Sequence, residues 1–586
     1  MSYCVTRLPY NATEKAELIK YYRLALPQYV YENIAKKSHP FGPYQLPAVD
    51  LQEGLNKIES KKYTNDAEMQ EDFYQLFAQL HDAHTPYHKP NYYYNYYTLQ
   101  PISIMSTLYN NAQVIKISSV DKSEVEAYAT LYNESSQPDF DVEGWQITEI
   151  DGVPALDALR SFADNNIGVL KDNGSRFNLA VSGYKTGRGW FIFRPMGVFG
   201  VPTKQSVTYT LQNPSTQAKK KVTYNWIGMN IDGSKMTTST VQGKNFETIF
   251  QKLLDHFIRQ ELYKKPNAVE FFDSYSTSAS VLRINTFSGR DDDFTSQFAN
   301  NITKALTTFT QSKREKLIID LTGNGGGSIC LGYSLLRYLF PSNVTAFEGQ
   351  GPHQEGIYRA RHSSLTNVLA TVSASMLKFN PSYNSFLDPT QFYNSKTRRQ
   401  FMDASWLSNK EDTVLGDMSQ SIYRGCASMY TYFPASGISF QIDPKNLIVV
   451  SQGYCGSTCA VFTSYIQAHK LAKTVALGGY YNKAQQLFAF PGGQVGDVGD
   501  YIELADSLKI HSKYESAIEP LIPRVPTSGR YNSTGFTYLS IWPWNKDDPS
   551  HLPLEYTFVP ADYSIMYPGH PTDYQSIYSR ILKVTA

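Results

Sequence analysis

Residues 316–328 read KLIIDLTGNGGGS, an apolar run typical of a buried strand that stops in a glycine cluster around Asn324. Residues 446–462 read NLIVVSQGYCGSTCAVF and repeat this pattern, with Ser457 in the glycine turn before an apolar helix. Glycine suits such turns because it adopts positive φ and lets a substrate carbonyl approach backbone N–H groups. The two turns are therefore predicted to supply a nucleophile and its oxyanion donors.

Phosphate binding and simple chain reversal are the other uses of a glycine turn between a strand and a helix. The stretch GNGGGS lacks the Lys-Ser/Thr ending of a Walker loop and the spacing of a dinucleotide fingerprint. A serine at such a turn becomes a nucleophile when a base takes its proton, and the helix N-terminus stabilises the negative charge that develops. These features favour a serine nucleophile over a phosphate site.

The two turns together resemble those of the tail-specific (C-terminal-processing) serine peptidases, and more closely those of their chlamydial protease-like activity factor branch and its fungal relatives. Two motifs of that branch recur here, as CGSTCA at residues 455–460 and as TVALGG at residues 474–479. The resemblance covers most of residues 70–570. It implies an α/β fold class with a crotonase/ClpP-like catalytic core, and an enzyme that hydrolyses peptide bonds.

The candidate general base lies in the segment LFAQLHDAHTPYHKP, residues 76–90. His84 follows an amphipathic helix and precedes a proline, which predicts a position where the helix gives way to a loop. On its own, such a histidine is more often a surface or capping residue than a base. The resemblance implies the base, because the branch carries an L-x-D-x-H segment that Leu80, Asp82 and His84 match. Asp82 could orient the imidazole or cap the backbone, and the cap is the favoured interpretation.

A metal site is the alternative use of this segment. His81, His84 and His88 are spaced by 3 and 4 residues, which would place them on one face of a continuous helix, a geometry that zinc accepts. Pro86 argues against a continuous helix, and the Glu of an H-E-x-x-H motif is missing. A histidine-based metallohydrolase is the less favoured alternative, and no cofactor or metal is expected.

The resemblance also implies a third catalytic residue, a glutamate near the C-terminus that orients the base. Residues 553–562 read PLEYTFVPAD and match that family segment at Glu555, Val559 and Asp562. Glu515 is the second candidate. The structural alternative for Glu555 is a solvated strand residue without a catalytic role.

Many tail-specific peptidases use a Ser-Lys dyad instead. Lys483 follows Ser457 in the chain, but its context GYYNKAQQ lacks the F-G-K-G pattern of those enzymes, and we interpret it as a surface lysine. The histidine mechanism of a serine endopeptidase is therefore favoured. A catalytically inactive peptide-binding protein of the same fold is the alternative from another class. The predicted catalytic residues are Ser457, His84 and Glu555, and the predicted backbone oxyanion donors are Gly325, Gly326 and Thr458.

Three regions are predicted along the chain. Residues 1–95 show the apolar spacing of amphipathic helices and carry the candidate base. Residues 96–230 turn to short alternating strands, and within them residues 144–163 (GWQITEIDGVPALDALRSFA) resemble the strand, turn and helix of a PDZ domain, which binds chain ends at a sheet edge. Residues 231–586 alternate strand and helix, which favours a largely parallel sheet as the peptidase core. Within this core, residues 350–430 lack a clear period and are expected to form loops and short helices.

Charge and hydropathy narrow the classes of partner. The 586 residues include 54 basic and 53 acidic side chains, a formal net charge of +1 without a long basic run, so nucleic acid is not an expected partner. The chain has no run of 18 apolar residues, and no membrane span is expected. The expected partners are polypeptide substrates, and a second copy of the chain, forming a homodimer, is a further candidate.

The expected location is secreted or extracellular. The N-terminus, MSYCVTRLPYNATEK, lacks the apolar segment of a signal peptide, but six glycosylation sequons fit secretion. The five cysteines form an odd set without a C-x-x-C pair, which predicts one or two disulfides and no zinc site. The sequons begin at Asn11, Asn133, Asn173, Asn301, Asn343 and Asn532.

Overall fold

The protein is a mixed α/β molecule of many helices and several sheets, which confirms the predicted fold class at that level. The computed structural model describes residues 7–132, 138–182, 188–230, 267–341 apart from 274 and 277, 356–426 apart from 381, 383, 384 and 409, 432–433, 442–509, 515–544 and 551–586.

Residues 7–95 are mainly helical. Their α-helices are α1 Ala12–Ala25, α2 Glu32–Ala35, α3 Leu51–Ser60, α4 Asp66–Ala78 and α5 Asn91–Tyr94, and a short hairpin joins β1 His39–Phe41 to β2 Tyr44–Leu46. Helix α4 is capped by the Asn65 side chain and buries Phe73 and Phe77, the one-face spacing that the sequence predicted. Burial of each such ring stabilises the fold by about 1.5–3 kcal/mol.

The chain leaves α4 just before the candidate base. Helix α4 ends at Ala78, and His81 has a φ of 48°, which no helical residue adopts. His84 therefore lies in a loop, as predicted from the proline that follows it.

The next region is rich in antiparallel strands. Its strands are β3 Tyr96–Leu99, β4 Ile102–Tyr109, β5 Ala112–Val120, β6 Gln146–Ile150, β7 Val153–Pro154, β8 Phe193–Pro195, β9 Ser206–Gln212, β10 Lys219–Asn225 and β11 Ile227–Asn230. Its helices are α6 Lys122–Tyr132, α7 Ala155–Asn166 and α8 Asn173–Val181. One sheet has the order β10-β9-β6-β5-β4, with β7 paired to β6, and a smaller sheet has the order β11-β3-β8.

The predicted strand, turn and helix over residues 144–163 are present as β6, β7 and α7. Asp151 and Gly152 form the turn with φ values of 50° and 81°. Helix α7 buries Leu159 and Ala163 in a core shared with the sheet.

The C-terminal region alternates strands and helices. Its strands are β12 Val269–Phe272, β13 Ala279–Ile284, β14 Lys316–Asp320, β15 Tyr358–Ala360, β16 Phe392–Asn394, β17 Lys410–Thr413, β18 Gly416–Ser419, β19 Ile422–Arg424, β20 Leu447–Ser451, β21 Lys473–Leu477, β22 Gln494–Asp497, β23 Gly535–Ile541 and β24 Tyr563–Ile565. Its helices are α9 Phe294–Ser312, α10 Ile329–Leu339, α11 Ser364–Phe379, α12 Ser405–Ser408, α13 Thr458–Ala468, α14 Val498–Lys509, α15 Glu515–Ile518 and α16 Tyr574–Val584.

The main sheet of this region has the order β12-β13-β14-β20-β21-β24 and is parallel except at the β12–β13 pair. Every residue of β20 is buried, because helices cover both faces of the sheet. On one face Ile318 packs with Ile577 and Ile581 of α16, and on the other Ile319 packs with α9. Strands β14 and β20 are neighbours, so the glycine turns that follow them meet at one edge.

A second, five-stranded sheet has the order β16-β19-β15-β23-β22 and packs beside the main one, while β17 and β18 form a hairpin. The expectation of loops and short helices over residues 350–430 is wrong, because α11 spans 16 residues there. Its buried face mixes Leu369 with Thr366 and Ser373, so polar residues interrupt the apolar period. A search of the described helices finds none that is both long and apolar enough to span a bilayer.

Candidate active site

The two glycine turns predicted from the sequence meet in the structure. The Gly456 N–H donates to the Asn324 carbonyl at 2.9 Å, and the Thr458 hydroxyl donates to the Gly327 carbonyl at 2.6 Å. A methyl group at Gly326, whose φ is 100°, would lie 2.6 Å from the Ser457 Cβ. A glycine is therefore required there, since any side chain would displace the serine.

Ser457 occupies the turn at the start of α13 with φ 53° and ψ −122°. This conformation is rare for a residue with a side chain and costs about 1–3 kcal/mol, so the surroundings must impose it. The Ser457 N–H donates to the Phe490 carbonyl at 3.1 Å, and a disulfide joins Cys455 to Cys459 across the turn. The half-buried serine is thus held at the N-terminus of a helix whose dipole favours negative charge.

The three predicted oxyanion donors differ in availability. The Gly326 N–H already donates to Asn324 Oδ1 at 2.9 Å, so the structure does not support it as a donor to substrate. The asparagine side chain folds back to fix the turn, a use of Asn that the sequence did not reveal. Gly325 is exposed, and neither its N–H nor that of Thr458 has an acceptor among the described residues.

His84 and Ser457 both contact Phe490. The two rings are in edge contact, with centroids 5.1 Å apart, and the Phe490 carbonyl is the group that binds the Ser457 N–H. Burial lowers the pKa of His84, Lys171 lowers it further, and Asp82 opposes the shift. The imidazole is therefore neutral at pH 7, which a general base requires.

Asp82 caps the loop that carries His84. Its Oδ1 accepts the His84 N–H at 2.8 Å, and its Oδ2 accepts the Tyr29 hydroxyl at 2.9 Å and the Thr85 hydroxyl at 3.3 Å. This agrees with the structural interpretation of Asp82.

Glu555 is buried in a short 3₁₀ turn, so the alternative of a solvated strand residue is wrong. Its Oε1 accepts a hydrogen bond from Lys171 Nζ at 2.5 Å, and its Oε2 has no partner among the described residues. Burial raises the pKa of Glu555 to about 7, while Lys171 opposes the rise and Asp82 adds to it. The structure therefore pairs Glu555 with a lysine rather than with the imidazole, which differs from the predicted contact.

Lys171 and Phe490 are functional candidates that the sequence did not identify. Lys171 is only 6% exposed, and its position before α8 has no motif that marks a buried cation. The Phe490 backbone has a φ of 33°, which is a strained conformation. In the sequence, the available signal was the Pro-Gly-Gly stretch that follows Phe490.

The rival candidates are placed differently. Glu515 and Lys483 are exposed, which agrees with a surface role for that lysine. His81 Nδ1 contacts the Ile167 carbonyl at 3.1 Å, and His88 Nδ1 contacts the Tyr94 hydroxyl at 3.2 Å, so the histidine rings face different partners. Within the described ranges, no group of three or more His, Cys, Asp or Glu side chains is arranged to hold a metal ion.

Comparison with known proteins shows that part of the chain is similar to a peptidase family. Residues 278–478, which span both glycine turns, match peptidase family S41. The peptidase S41 family protein phomP1' of Diaporthe leptostromiformis is 28% identical over 240 residues, which cover 38% of this chain and 34% of the relative. The peptidase S41 family protein ustP of Aspergillus flavus is 26% identical over 222 residues, covering 34% of this chain and 44% of the relative. The chain thus spans between a third and a half of these relatives' length.

Solved structures share the fold over nearly the whole chain. Mature CPAF complexed with lactacystin superposes with a TM-score of 0.54 at 15% identity, covering 98% of both chains. Mature CPAF gives the same TM-score and identity over 98% of this chain and 97% of its own. The predicted resemblance to the S41 peptidases and their CPAF-like branch is confirmed.

Proposed function

From the peptidase family S41 domain at residues 278–478, we propose that this chain is a serine endopeptidase with Ser457 as its nucleophile and His84 as its general base. The observation that carries the proposal is the contact of Phe490 with both residues, through its carbonyl to Ser457 and through its ring to His84. The strained turn at Ser457 adds support, since strain of this kind clusters at active sites.

The chemistry begins when Ser457 Oγ attacks the scissile carbonyl carbon and gives its proton to His84. The carbonyl π electrons move to oxygen, and the N–H groups of Gly325 and Thr458 stabilise that oxyanion, each worth about 2.7–4 kcal/mol of barrier. His84 then gives the proton to the leaving amine as the C–N bond breaks. Water, deprotonated by His84, then attacks the acyl carbon, and the C–Oγ bond breaks as His84 returns the proton to Ser457 Oγ and the acid product leaves.

Glu555 acts in this proposal through Lys171. The Lys171–Glu555 pair is buried beside Asp82, and both Lys171 and Asp82 influence the pKa of His84. Glu555 thereby holds Lys171 in place and sets the electrostatic environment of the base, without a direct hydrogen bond to it.

Polypeptides are the proposed substrates, and the region of β4 to β10 is their proposed docking site. Support comes from the strand, turn and helix formed by β6, β7 and α7, which match the PDZ-like pattern. Strand β4 lies at the edge of that sheet, where an extended peptide could add a further strand.

Secretion is the proposed location. Two disulfides, Cys330–Cys426 and Cys455–Cys459, support an oxidising compartment. The sequon residues Asn11, Asn301 and Asn532 are exposed, as glycosylation requires, whereas Asn173 is half-buried and Asn133 and Asn343 lie outside the described residues.

An inactive peptide-binding protein of the same fold is the competing function. The observation in its favour is that Glu555 pairs with Lys171, while His84 Nδ1 has no hydrogen-bond partner among the described residues.

The test is hydrolysis of casein by the wild type, Ser457→Ala and His84→Ala. Lys483→Ala and His88→Ala are the controls, because both residues are exposed. The proposal expects activity in the wild type and both controls and its loss in the two site variants, with melting temperatures nearly unchanged. Equal casein turnover by Ser457→Ala would refute the serine mechanism, and an inactive wild type would favour the binding protein.

A further inference from the structure

One ring nitrogen of His84 lacks a partner. His84 Nδ1 is buried and makes no hydrogen bond among the described residues. When Nε2 of a histidine takes the proton of a nucleophile, Nδ1 carries a hydrogen that needs an acceptor to fix the tautomer and the ring. An unmade hydrogen bond at a buried donor costs about 1–3 kcal/mol. A group that accepts a hydrogen bond from Nδ1–H is therefore needed to complete the site.

Thr537 Oγ1 borders the same small space. A methyl group at Gly492 would lie 2.8 Å from Thr537 Oγ1 and 2.9 Å from His84 Nδ1, so both atoms face the bare Cα of that glycine. Thr537 is fully buried, and its hydroxyl also lacks a partner within the described part of the chain. Both atoms lie within 3 Å of the same point and are not hydrogen-bonded to each other, and one water can bridge such a separation.

The backbone fixes Thr537 firmly. It lies in the interior of β23, paired with Val495 of β22, and its carbonyl accepts the Val30 N–H at 3.0 Å. A side chain on a rigid strand is well suited to orient a functional group.

The nearby carboxylates are worse placed for this task. Both oxygens of Asp82 already accept hydrogen bonds, one from the backbone of His84 and the other from Tyr29 and Thr85. Glu555 Oε2 has no partner among the described residues, but Glu555 is not among the charged groups that shift the pKa of His84.

We propose that Thr537 is a positioning residue linked to His84 by one buried water, which accepts a hydrogen bond from Nδ1–H and donates one to Thr537 Oγ1, and so turns Nε2 towards Ser457. Gly492 keeps the space between them open. The inference rests on the proposed serine peptidase function, because it assigns a role to a partner of its base.

The experiment compares Thr537→Val, which removes the acceptor at constant shape, with Thr537→Ser, which keeps a hydroxyl. Thr98→Val is the matched control, since Thr98 is also buried with an unpartnered hydroxyl but lies on β3 of another sheet. We expect Thr537→Val to lower kcat by about 10- to 100-fold, the loss found when the outer hydrogen bond of a metal-bound histidine is removed, with little change in KM. Thr537→Ser should recover most of kcat, and Thr98→Val should match the wild type.

A pH profile separates positioning from a general loss of structure. The hydrogen bond stabilises the imidazolium, so its loss in Thr537→Val should move the rise of kcat/KM to lower pH. Asp82 and Lys171, the charged groups that act on His84, are unchanged in this variant. Gly492→Ala, which puts a methyl group between the two atoms, should lower kcat as well.

Wild-type kcat and pH profile in Thr537→Val would overturn the inference, as would a Thr537→Ser variant as slow as Thr537→Val. A Glu555→Gln variant that alone moves the pH profile would assign the role to Glu555 instead. Failure of the proposed function is a different result, namely a Ser457→Ala variant that keeps full activity, whatever Thr537 does.

Discussion

Ser457 combines a strained backbone with several restraints that hold it. Its positive φ costs about 1–3 kcal/mol, and the serine is retained there by its N–H bond to Phe490 and by the close approach of Gly326. Such strain fits a nucleophile better than a structural serine, because a structural serine has no need of it. The pKa shifts of His84 and Glu555 lead to two predictions at the same scale.

The pH dependence of the activity should report His84. Burial and Lys171 lower the pKa of His84 below its usual 6.5, and a base works only when deprotonated. We therefore expect kcat/KM to rise with pH through a midpoint below 6.5, measured with a peptide substrate. A midpoint well above pH 7 would contradict a buried neutral imidazole as the base.

The stability of the fold should depend on pH through Glu555. Burial raises the pKa of Glu555 from 4.5 to about 7, so the folded protein retains a proton that the unfolded chain has lost. The resulting stabilisation is complete below about pH 4.5 and is lost as the pH rises to about 7. We expect the unfolding free energy of the wild type to fall over this range relative to Glu555→Gln, in urea titrations at each pH. If the unfolding free energy of the wild type rose with pH relative to Glu555→Gln instead, Lys171 would outweigh burial in setting the pKa of Glu555.

The elements around the turn are tied by two disulfides that differ in the loops they close. Cys455–Cys459 joins residues 4 apart across the turn of Ser457, and Cys330–Cys426 joins α10 to the end of β19 over a separation of 96 residues. A long closed loop restricts the unfolded chain more than a short one, so the two bonds should have different effects.

We expect one disulfide to contribute mainly to the unfolding free energy and the other mainly to kcat. The Cys330→Ala/Cys426→Ala pair should lower the unfolding free energy by up to about 4–5 kcal/mol and leave kcat little changed in the folded protein. The Cys455→Ala/Cys459→Ala pair should cost less stability but lower kcat at least about 10-fold, because the turn is released. Denaturant unfolding and kcat of both double variants test this. Equal loss of kcat in both would mean that Cys455–Cys459 has no special link to the site.

At the scale of elements, the sequence predicted strands and helices best where apolar spacing is regular. Helix α9 shows this, since Phe298, Ile302 and Leu306 are all buried. The apolar spacing did not predict α11, because polar residues share the buried face of that helix. The partners of the site were beyond sequence reasoning, because Thr537 and Lys171 reach it only through pairing and packing of distant segments.

At the scale of the molecule, the proposed base and nucleophile come from distant parts of the chain. His84 lies in the N-terminal region and Ser457 in the core, so the site exists only when the two are docked. Arg361 strengthens that docking: it donates to the Tyr29 carbonyl at 3.1 Å and pairs with Glu32, while the Tyr29 hydroxyl holds Asp82.

Arg361→Met should therefore weaken both the fold and the site. Hydrogen bonds to charged groups contribute about 1.5–3 kcal/mol each, so we expect an unfolding free energy lowered by about that amount and a reduced kcat. Arg23→Met is the control, because its pair with Glu59 is exposed and contributes about 0–1 kcal/mol. Denaturant unfolding gives the first quantity and peptide hydrolysis the second. If Arg361→Met and Arg23→Met behaved alike, the docking of the N-terminal region would not depend on Arg361.

Ser457 is proposed to be an activated nucleophile. Its most direct test is reaction of the intact protein with a fluorophosphonate probe, followed by peptide mass spectrometry to locate the adduct. We expect a single adduct on Ser457 in the wild type, slower labelling of His84→Ala and none of Ser457→Ala. An adduct on another residue, or equal labelling of Ser457→Ala, would contradict it.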